Sequence, residues 1–478
     1  MNASVLLNAA LPDNSVPAFG ESLFAHHALL PDGWQRDVVL RWNVLGDIVS
    51  VEVGATPNAA MMIAAGPVIP GMPNLHSHAF QRAMAGLTET RGDLNDSFWS
   101  WRTLMYRFAE RLSPEHLEAI ARYLYIEMLK AGYTSVCEFH YVHHAVGGQP
   151  YSNPAEHAER IIAAAQAAGI GLTLLPVLYQ YSGFGEQTPQ AHQARFVTSP
   201  EWILNVIARL KRTRPQHGNL RYGVAPHSLR AVSAASMRTL VEGIRGADSR
   251  APIHIHIAEQ VKEVEDCLAA YGRRPVERLL ELQVLDAGWC LVHATHMSAQ
   301  EYADAATSGA VIGLCPTTEA NLGDGFFDLS RYLEHKGRWG IGSDSNVSVD
   351  LRSELRLLEY GQRLLTRKRN VAASDGVPAV ADYLYQQAVM GGASATGRKV
   401  AGLCAGERAD WLVLDGEHTG IFERSAADIL SGFVFCEHGA TPVRDVYVGG
   451  RAVVKDGIHA QEVAARAGYR AALRALVQ

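Results

Sequence analysis

Eight short apolar segments between residues 68 and 343 constrain the fold of this chain more than any other feature of its sequence. Most are separated by stretches with ordinary helix start signals, and this alternation is typical of parallel βα units. Eight parallel strands can close on themselves, so the sequence predicts an α/β fold with a (β/α)8 TIM-like barrel. The expected strands are Val68–Asn74, Thr134–Phe139, Leu172–Val177, Tyr222–Pro226, Ile253–Ile257, Cys290–His293, Val311–Leu314 and Gly340–Ser343.

The two ends of the chain carry a different pattern. Residues 37–54 and 443–454 alternate apolar and polar side chains, as half-buried antiparallel strands do. Because 478 residues exceed a typical single core, we expect one large domain with a smaller companion. The predicted barrel covers residues 68–400. The predicted small β-sandwich is built from both termini and covers residues 1–67 and 401–478.

Charge and hydropathy exclude several classes of partner. The formal net charge of −6 excludes the broad basic surface that nucleic acid or anionic lipid requires. The first basic residue is Arg36, so the N-terminus lacks the charged region of a secretory signal, and no apolar run reaches membrane-spanning length. We therefore expect a cytoplasmic protein that acts on a small molecule and binds neither nucleic acid nor membrane.

The cysteines indicate a reducing compartment. They are scattered, and no two of them form a C-x-x-C pair. They are Cys137, Cys267, Cys290, Cys315, Cys404 and Cys436. Three of them lie in apolar, strand-like segments, where a small buried side chain is expected rather than a nucleophile.

A pair of histidines ends the first expected barrel strand. His76 and His78 close the segment P-G-M-P-N-L-H-S-H, and the period-two geometry of a strand sends both imidazoles to the same side. One cation could bind both. An H-x-H motif alone is weak, because surface or hydrogen-bonded histidines are more common than metal ligands.

Two further groups fall at the ends of other expected strands. The segment I-H-I-H-I places His254 and His256 on one face, and His256 lies nearer the C-terminal end, where barrel enzymes bind their substrates. We predict His256 as the ligand and His254 as a hydrogen-bonded interior residue. Asp344 follows the eighth expected strand, although alone it could equally cap a helix.

Taken together, His76, His78, His256 and Asp344 predict a metal site at the C-terminal mouth of the barrel. Three imidazoles and a carboxylate suit zinc, or alternatively iron(II), with a position left for water. Such a metal lowers the pKa of the bound water to about 7 and makes hydroxide available at neutral pH. The sequence therefore predicts a metal-dependent hydrolase.

Two nearby side chains complete the expected chemistry. Glu259 follows His256 by three residues and could carry a proton to a leaving nitrogen, or could simply lie in the first turn of a helix. His293 ends the sixth expected strand and could polarise the substrate, or could be an ordinary core histidine.

These motifs resemble those of the amidohydrolase superfamily, specifically its deaminase-like branch with one metal per subunit. The segments that carry the resemblance are P-G-M-P-N-L-H-S-H, H-I-A-E, L-V-H-A-T-H and G-S-D-S-N, with A-G-E-R-A-D and V-Y-V-G-G-R near the C-terminus. The resemblance implies that Asp344 both binds the metal and takes a proton from water. It also implies that Glu259 and His293 act on the leaving group and the intermediate, and it favours a homodimer.

Within this branch the chain is similar to deiminases of formimidoyl amino acids. The pointers are H-A-F-Q-R, F-W-S-W-R, E-F-H-Y-V-H-H, A-P-H-S-L-R and P-T-T-E-A-N-L. By that likeness, the substrate-binding residues are Gln81, Arg102, Tyr141, His227 and Arg230. Two arginine forks suit a substrate with two carboxylates, and we expect both in βα-loop regions facing the metal, with Arg82 as a reserve candidate.

The implied reaction is attack of metal-bound hydroxide on the formimidoyl carbon, protonation of the terminal nitrogen by Glu259, and release of ammonia. A second hypothesis is an aminohydrolase of the same branch that acts on guanine, a triazine or an adenosine-type compound. Such planar substrates favour aromatic stacking over paired arginines. A third hypothesis is a non-catalytic relative that keeps the fold. The loss of a metal ligand would indicate such a protein, but all four predicted ligands are present.

Overall fold

The computed structural model describes residues 21–90, 98–436 and 439–477, so the part of the small domain expected over residues 1–20 lies outside it. The strands are β1 Glu21–Leu30, β2 Gly33–Trp42, β3 Ile48–Glu52, β4 Met62–Ile63, β5 Val68–Pro70, β6 Met72–Ser77, β7 Tyr133–His140, β8 Gly171–Leu178, β9 Leu220–Tyr222, β10 Ala225–Pro226, β11 Ile253–Ile257, β12 Trp289–His293, β13 Val311–Leu314, β14 Arg338–Ile341, β15 Trp411–Leu414, β16 Val443–Val448 and β17 Arg451–Val454.

The α-helices cover the connections between these strands. They are α1 Phe98–Arg111, α2 Pro114–Ala131, α3 Glu156–Ala168, α4 Pro200–Thr213, α5 Ala234–Ala247, α6 Val261–Tyr271, α7 Pro275–Leu282, α8 Ala299–Ser308, α9 Pro316–Leu322, α10 Leu329–Glu334, α11 Leu351–Thr366, α12 Val380–Thr396, α13 Ala426–Phe435 and α14 Glu462–Val477. None of these described helices is long and apolar enough to span a bilayer.

Strands β6 to β14 form the predicted barrel. Parallel pairing runs from β6 through β7 and β8 to β9 and β10, and again from β11 through β12 and β13 to β14. Parallel bridges between Val224 and Ile253 and between Ser77 and Asp344 join the two sets. The last bridge closes the ring beside two of the predicted metal ligands.

Two predicted barrel strands are interrupted where the backbone passes very close to a neighbour. The first predicted strand is divided into β5, which ends at Pro70, and β6, which begins at Met72. A Cβ at the intervening Gly71 would lie 2.3 Å from the Thr134 side chain. The fourth breaks into β9 and β10 around Gly223, where a Cβ would lie 2.3 Å from the Pro252 carbonyl oxygen. Glycine permits both approaches because it has no Cβ.

The eighth strand is also shorter at its C-terminal end than predicted. It covers β14 and ends before Gly342, where a Cβ would lie 2.9 Å from His76. This close approach brings the following residues over the end of β6. Asp344 then has a φ of 45°, a left-handed conformation that turns its side chain away from a regular strand direction.

The strands from both termini form one continuous eight-stranded sheet, as the predicted small β domain requires. Its order is β17-β16-β15-β5-β1-β2-β3, with β4 paired to β1. β5 thus hydrogen-bonds with this sheet, although the predicted domain boundary precedes Val68, and the exact boundary stays a prediction. The rings of Trp42 and Tyr447 lie 4.9 and 4.7 Å from Trp411 in its core.

The alanine-rich C-terminal segment forms helix α14. It packs on α2 of the barrel. The rings of Tyr123 and Tyr469 stack at 5.0 Å, and Lys130 forms an ion pair of 2.7 Å with Glu462. Helix α14 therefore comes after the last strand of the small sheet in sequence and contacts the barrel in space.

All six cysteines lie in the described part of the chain and are free thiols. Cys137, Cys290 and Cys315 are buried, as the sequence predicts. Burial raises the pKa of the Cys137 thiol to about 12, so the reactive thiolate is not populated at neutral pH. These side chains behave as small apolar residues of the barrel core.

A buried histidine ties the loop after β7 to helix α3. The His157 Nδ1–H group donates to the Val142 carbonyl at 2.7 Å, and the Tyr151 hydroxyl lies 3.2 Å from Nε2. The residue is 1% exposed. Burial, and then the charge of Arg195, lowers the pKa of His157 to about 4, so the imidazole is neutral in the folded protein.

We expect the variant His157→Gln to lose part of the acid sensitivity of stability. Because the unfolded chain titrates at the ordinary histidine pKa of about 6.5, the contribution of His157 is present above that pH and falls as pH decreases toward 4. Between pH 7.5 and 5.5 the loss is about 1 kcal/mol, which the variant removes. Urea unfolding at both pH values measures it. Exposed His335→Gln is the control, and an unchanged pH dependence in His157→Gln contradicts the prediction.

Candidate active site

A cleft of about 510 Å³ opens at the C-terminal ends of the barrel strands, where the sequence predicts the site. The predicted residues that line it are His78, Gln81, Arg102, Tyr141, His227, Arg230, His256, Glu259, His293 and Asp344. His76 lies beneath them and is fully buried. The fold thus brings all the predicted site residues together, although they come from widely separated segments.

The four predicted metal ligands converge at the floor of the cleft. The Nε2 atom of His76 lies 3.2 Å from Nε2 of His78 and 3.0 Å from Nε2 of His256. The Asp344 Oδ1 atom lies 3.4 Å from Nε2 of His76 and 3.2 Å from Nε2 of His78. The four side chains are buried and are close enough together to bind one ion.

The hydrogen bonds of the outer ring atoms indicate which nitrogens face the centre without a proton. His78 Nδ1–H donates to the Phe139 carbonyl at 3.0 Å, and His256 Nδ1–H donates to the His227 carbonyl at 3.1 Å. In the neutral tautomers their Nε2 atoms therefore point lone pairs at each other and at a carboxylate. Such a cluster repels itself unless a cation lies at its centre, so these residues fit a divalent metal.

Burial and charge keep this cluster in the protonation state that a metal requires. Burial lowers the pKa of His76 to about 3 and also lowers the pKa of His78 and His256. Burial acts to raise the pKa of Asp344. The hydrogen bond with His76 and the electrostatic interactions with His76 and His78 outweigh burial and lower this pKa. The imidazoles are thus neutral and the carboxylate is charged at neutral pH.

A network of amide and hydroxyl groups holds the Asp344 segment against β6. The Asn346 side-chain amide donates to the Asp344 carbonyl at 2.9 Å and to the His78 carbonyl at 3.2 Å. Asn74 donates to the Ser343 hydroxyl at 2.7 Å and accepts from the Ser343 amide at 3.1 Å. These bonds fix the barrel closure and therefore the distance between the first and last ligand-bearing segments.

His293 lies among three carboxylates. Its Nε2 atom is 3.9 Å from Glu259 Oε1 and 3.8 Å from Asp344 Oδ2, and its Nδ1 atom is 3.3 Å from Glu319 Oε1. Burial opposes protonation of His293, but the surrounding carboxylates raise its pKa to about 10. This environment differs from that of an ordinary core histidine, which was the alternative.

Glu259 lies at the cleft wall and precedes helix α6, so it is not a first-turn helix residue. Ala258 has a φ of 50°, and this left-handed residue ends the extended segment before Glu259. Burial raises the pKa of Glu259 to about 7, although the charge of His293 opposes the rise. A carboxyl group with a pKa near neutrality can both give and accept a proton.

The predicted substrate-binding residues form the upper wall of the cleft. Gln81 Nε2–H donates to the Tyr141 hydroxyl at 2.8 Å, and the His227 ring lies 5.0 Å from the His256 ring. Arg230 is 8% exposed, and its Nε atom is 3.9 Å from the carboxylate of Glu263.

Arg102 and Arg230 both lie in predicted βα-loop regions, with Arg102 in the connection between β6 and α2. Within that connection Arg102 lies in helix α1, the Phe98–Arg111 segment that covers the cleft, whereas Arg230 lies on the loop after β10. The sequence shows why the helix forms: α1 is amphipathic, with Met105, Phe108 and Ala109 buried beneath it.

The two residues that the sequence ranked lower have partners outside the cleft. Arg82 binds the Glu127 carboxylate through Nε and Nη2, each at 3.0 Å, and donates to the Asn346 carbonyl at 2.8 Å. His254 donates from Nε2 to the Ala395 carbonyl at 2.8 Å and is fully buried. His254 is therefore a hydrogen-bonded interior residue, as expected.

Several residues near the site were not predicted from the sequence. Glu319 accepts from the Cys315 amide at 2.9 Å and faces His293, while Trp101, Met105 and Leu322 line the cleft. The available signal for Glu319 was its place just after the end of β13, at the same end of the barrel as the predicted ligands. Trp101 and Leu322 belong to the quoted motifs F-W-S-W-R and P-T-T-E-A-N-L, whereas Met105 lies outside them.

The chain matches two protein-family models. The amidohydrolase family model matches residues 68–453. The model of the N-terminal domain of formimidoylglutamate deiminase HutF matches residues 21–61, which contain β1, β2 and β3. The two matched ranges together contain the barrel and most of the small sheet.

Known proteins are similar over nearly the whole chain. A formimidoylglutamate deiminase of Pseudomonas aeruginosa is 52% identical over 441 residues, which cover 92% of this chain and 96% of that protein. The crystal structure of an amidohydrolase from Brucella melitensis superposes with a TM-score of 0.90 at 45% identity, covering 96% of this chain and 100% of that one. A zinc-bound adenosine deaminase from Xanthomonas campestris shares the fold, with a TM-score of 0.78 at 20% identity over 95% and 98% of the two chains. The chain therefore belongs to the amidohydrolase family.

Proposed function

We propose that this hydrolase is a formimidoylglutamate deiminase, which converts N-formimidoyl-L-glutamate and water into N-formyl-L-glutamate and ammonia in histidine degradation. The observation that carries the proposal is the presence of two guanidinium groups, from Arg102 and Arg230, in the wall of a cleft with a metal-binding floor. Arginine forks bind carboxylates, and this substrate has two. The similarity to the Pseudomonas aeruginosa deiminase supports the same substrate.

We infer that His76, His78, His256 and Asp344 hold one divalent metal, which we propose to be zinc. The neutral imidazoles and the single carboxylate suit zinc, and iron(II) fits the same donors. The zinc bound in the Xanthomonas campestris relative favours the first choice. When bound, the metal supplies a Lewis acid that lowers the pKa of water and so provides a nucleophile at neutral pH.

The surrounding side chains move the protons of the reaction. Asp344 Oδ2 faces His293 and takes the proton that water loses when its oxygen bonds to the formimidoyl carbon. Glu259, with its pKa near 7, gives a proton to the terminal nitrogen, which leaves as ammonia while the new C=O bond forms. The His293 ring, held protonated by its carboxylate neighbours, stabilises negative charge on the attacking oxygen.

The binding residues decide which nitrogen leaves. The amidine carbon carries two nitrogens, and loss of the internal one would give glutamate and formamide instead. We propose that Gln81, Tyr141, His227, Arg102 and Arg230 fix the dicarboxylate so that the terminal nitrogen meets Glu259. Fixed orientation of this kind selects one of two similar bond cleavages.

The second candidate function is deamination of a purine or triazine by the same metal site. The apolar residues Trp101 and Leu322 in the cleft wall are the observation in its favour, because a planar ring could stack there. The two arginines favour the dicarboxylate, because a neutral heterocycle offers no carboxylate for their guanidinium forks to bind.

The test is ammonia release from N-formimidoyl-L-glutamate beside N-formimidoyl-L-aspartate, guanine and adenosine, with metal analysis of the same sample. We expect ammonia and N-formylglutamate from the first substrate in equal amounts, one zinc per chain, and loss of activity after chelation with recovery on zinc addition. Ammonia from guanine or adenosine alone supports the second candidate. No ammonia from any of the four contradicts both.

We further propose that the enzyme is a cytoplasmic homodimer without nucleic-acid or membrane partners. Free thiols support a reducing compartment, the net charge of −6 disfavours nucleic acid and anionic membranes, and the family resemblance favours the homodimer. Sedimentation equilibrium of the zinc-loaded protein measures the subunit number directly, and a monomer at micromolar concentration contradicts the dimer.

A further inference from the structure

Arg102 is held by two tyrosine hydroxyls. Its Nε–H group donates to the Tyr106 hydroxyl at 2.5 Å, and its Nη2–H group donates to the Tyr179 hydroxyl at 3.1 Å. Tyr106 lies one helical turn after Arg102, whereas Tyr179 follows β8 on the barrel. The guanidinium is therefore anchored on two different parts of the fold.

A single glutamine joins these two tyrosines from the side away from the substrate cleft. The Gln193 Nε2 group donates to the Tyr106 hydroxyl at 3.0 Å and to the Tyr179 hydroxyl at 2.8 Å. Its Oε1 atom accepts from the Gln190 backbone amide at 2.8 Å, which fixes the orientation of the side-chain amide. Gln193 is 2% exposed, so water does not compete for these bonds.

The directions of the hydrogen bonds that Arg102 and Gln193 make follow from their chemistry. Guanidinium and amide N–H groups can only donate, so each tyrosine hydroxyl accepts from both Arg102 and Gln193. A carboxylate at position 193 would instead accept from the hydroxyls. Such a carboxylate would reverse the direction of these two bonds and add a negative charge near the guanidinium, whereas glutamine adds no charge.

Apart from the guanidinium, the hydrogen-bonding groups of this network carry no charge of their own. Tyr106, Tyr179 and Gln193 are neutral, whereas Arg230 faces Glu263 at 3.9 Å and Arg82 binds Glu127. Burial favours the neutral form of the Tyr179 phenol and raises its pKa, so this hydroxyl stays uncharged beside the guanidinium. The three partners fix the position of Arg102.

We propose that Gln193 is a positioning residue, which holds Arg102 through the hydroxyls of Tyr106 and Tyr179 and thereby sets the affinity for one substrate carboxylate. The inference rests on the proposed function, in which Arg102 binds a carboxylate of N-formimidoyl-L-glutamate. Gln193 acts on binding and not on proton transfer, because its side chain bonds to Tyr106, Tyr179 and the Gln190 amide and does not line the cleft that contains Glu259 and His293.

The decisive variant is Gln193→Glu, which keeps the size of the side chain and replaces the donor by a negative charge. We expect KM for N-formimidoyl-L-glutamate to rise about 10- to 100-fold, with kcat changed less than about threefold, because the new charge competes with the substrate for the guanidinium. Two substrate analogues, with either the α- or the γ-carboxylate converted to a carboxamide, identify the group involved. For one of them the variant and the wild type should have equal KM.

Tyr179→Phe provides a second route if Gln193→Glu does not fold. It removes one hydroxyl from the network, and we expect KM to rise about 3- to 10-fold at nearly constant kcat. Gln187→Glu is the matched control, since it places the same charge on an exposed position of the same loop. Circular dichroism and zinc content of each variant establish that the fold and the metal site are intact.

The possible outcomes separate this inference from the proposed function. If the wild type releases ammonia from the substrate but KM is unchanged in both Gln193→Glu and Tyr179→Phe, the positioning role is wrong. The positioning role is also wrong if Gln193→Glu lowers kcat and raises KM to the same extent, and does so equally for the substrate and for both carboxamides. Such a result indicates a general structural defect. If the wild type releases no ammonia, the proposed function fails first, and direct binding of the substrate by calorimetry still tests whether Gln193 affects Arg102.

Discussion

Replacing Asp344 by asparagine is expected to lower kcat/KM for N-formimidoyl-L-glutamate by about 10⁴-fold. The substitution removes the one charged donor among the four predicted ligands, and it removes the group that faces His293 and can take a proton. Both losses act on the same chemical step, so their effects do not add as independent contributions. The carboxamide keeps the size of the side chain, and therefore the change is chemical rather than a change in packing.

Steady-state kinetics and zinc analysis of the same sample measure this effect. We expect the Asp344→Asn protein to fold and to bind zinc more weakly than the wild type. Asp350→Asn is the matched control: Asp350 caps helix α11 through the Arg352 amide at 2.9 Å, and asparagine caps equally well. Activity above one hundredth of the wild type in zinc-loaded Asp344→Asn contradicts the assignment.

Glu259→Gln is expected to lower kcat by about 10³-fold while zinc content and KM remain close to those of the wild type. Glu259 is not among the four converging ligands, so its loss removes a proton carrier and leaves the metal site intact. The expected signature is therefore a loss of kcat alone. This separates Glu259 from Asp344, whose replacement affects metal binding as well.

The pH dependence supplies a second measurement for Glu259. With a pKa near 7, the wild type should change its rate in the neutral range, and Glu259→Gln should lose this inflection. Glu265→Gln on the exposed side of helix α6 is the control for a charge change nearby, and we expect it to leave kcat within twofold. A kcat of Glu259→Gln above one tenth of the wild type shows that another group carries the proton.

The barrel and its metal floor could be predicted because they depend on short-range periodicity. In I-H-I-H-I the alternation alone places the imidazoles inside and the isoleucines outside, and the same geometry puts His76 and His78 on one side. The known direction of parallel strands then brings the ends of β6, β11 and β14 together.

The interrupted strands could not be predicted because they depend on contacts between distant segments. Gly71 and Gly223 break their strands where Thr134 and Pro252 approach the backbone, and nothing in the local sequence indicates these neighbours. A glycine within an apolar run is compatible with a continuous strand or with a break.

The supports of the substrate wall were missed for the same reason. Arg102 meets Tyr179 across 77 positions of sequence, and Gln193 meets Tyr106 across 87. Each residue taken alone reads as an ordinary polar or aromatic side chain. Only the folded arrangement shows that the loop after β8 and the helix before α2 share one hydrogen-bond network.

The sheet that combines both ends of the chain has a consequence for the order of folding during synthesis. Strand β5 pairs with β1 on one edge and with β15 on the other, so its second edge stays open until the ribosome has made the whole barrel. An open edge invites pairing with other nascent chains, and pairings between distant segments form slowly. We therefore expect the barrel to assemble first, and the arrival of β15 to β17 to be the late event that locks the early strands.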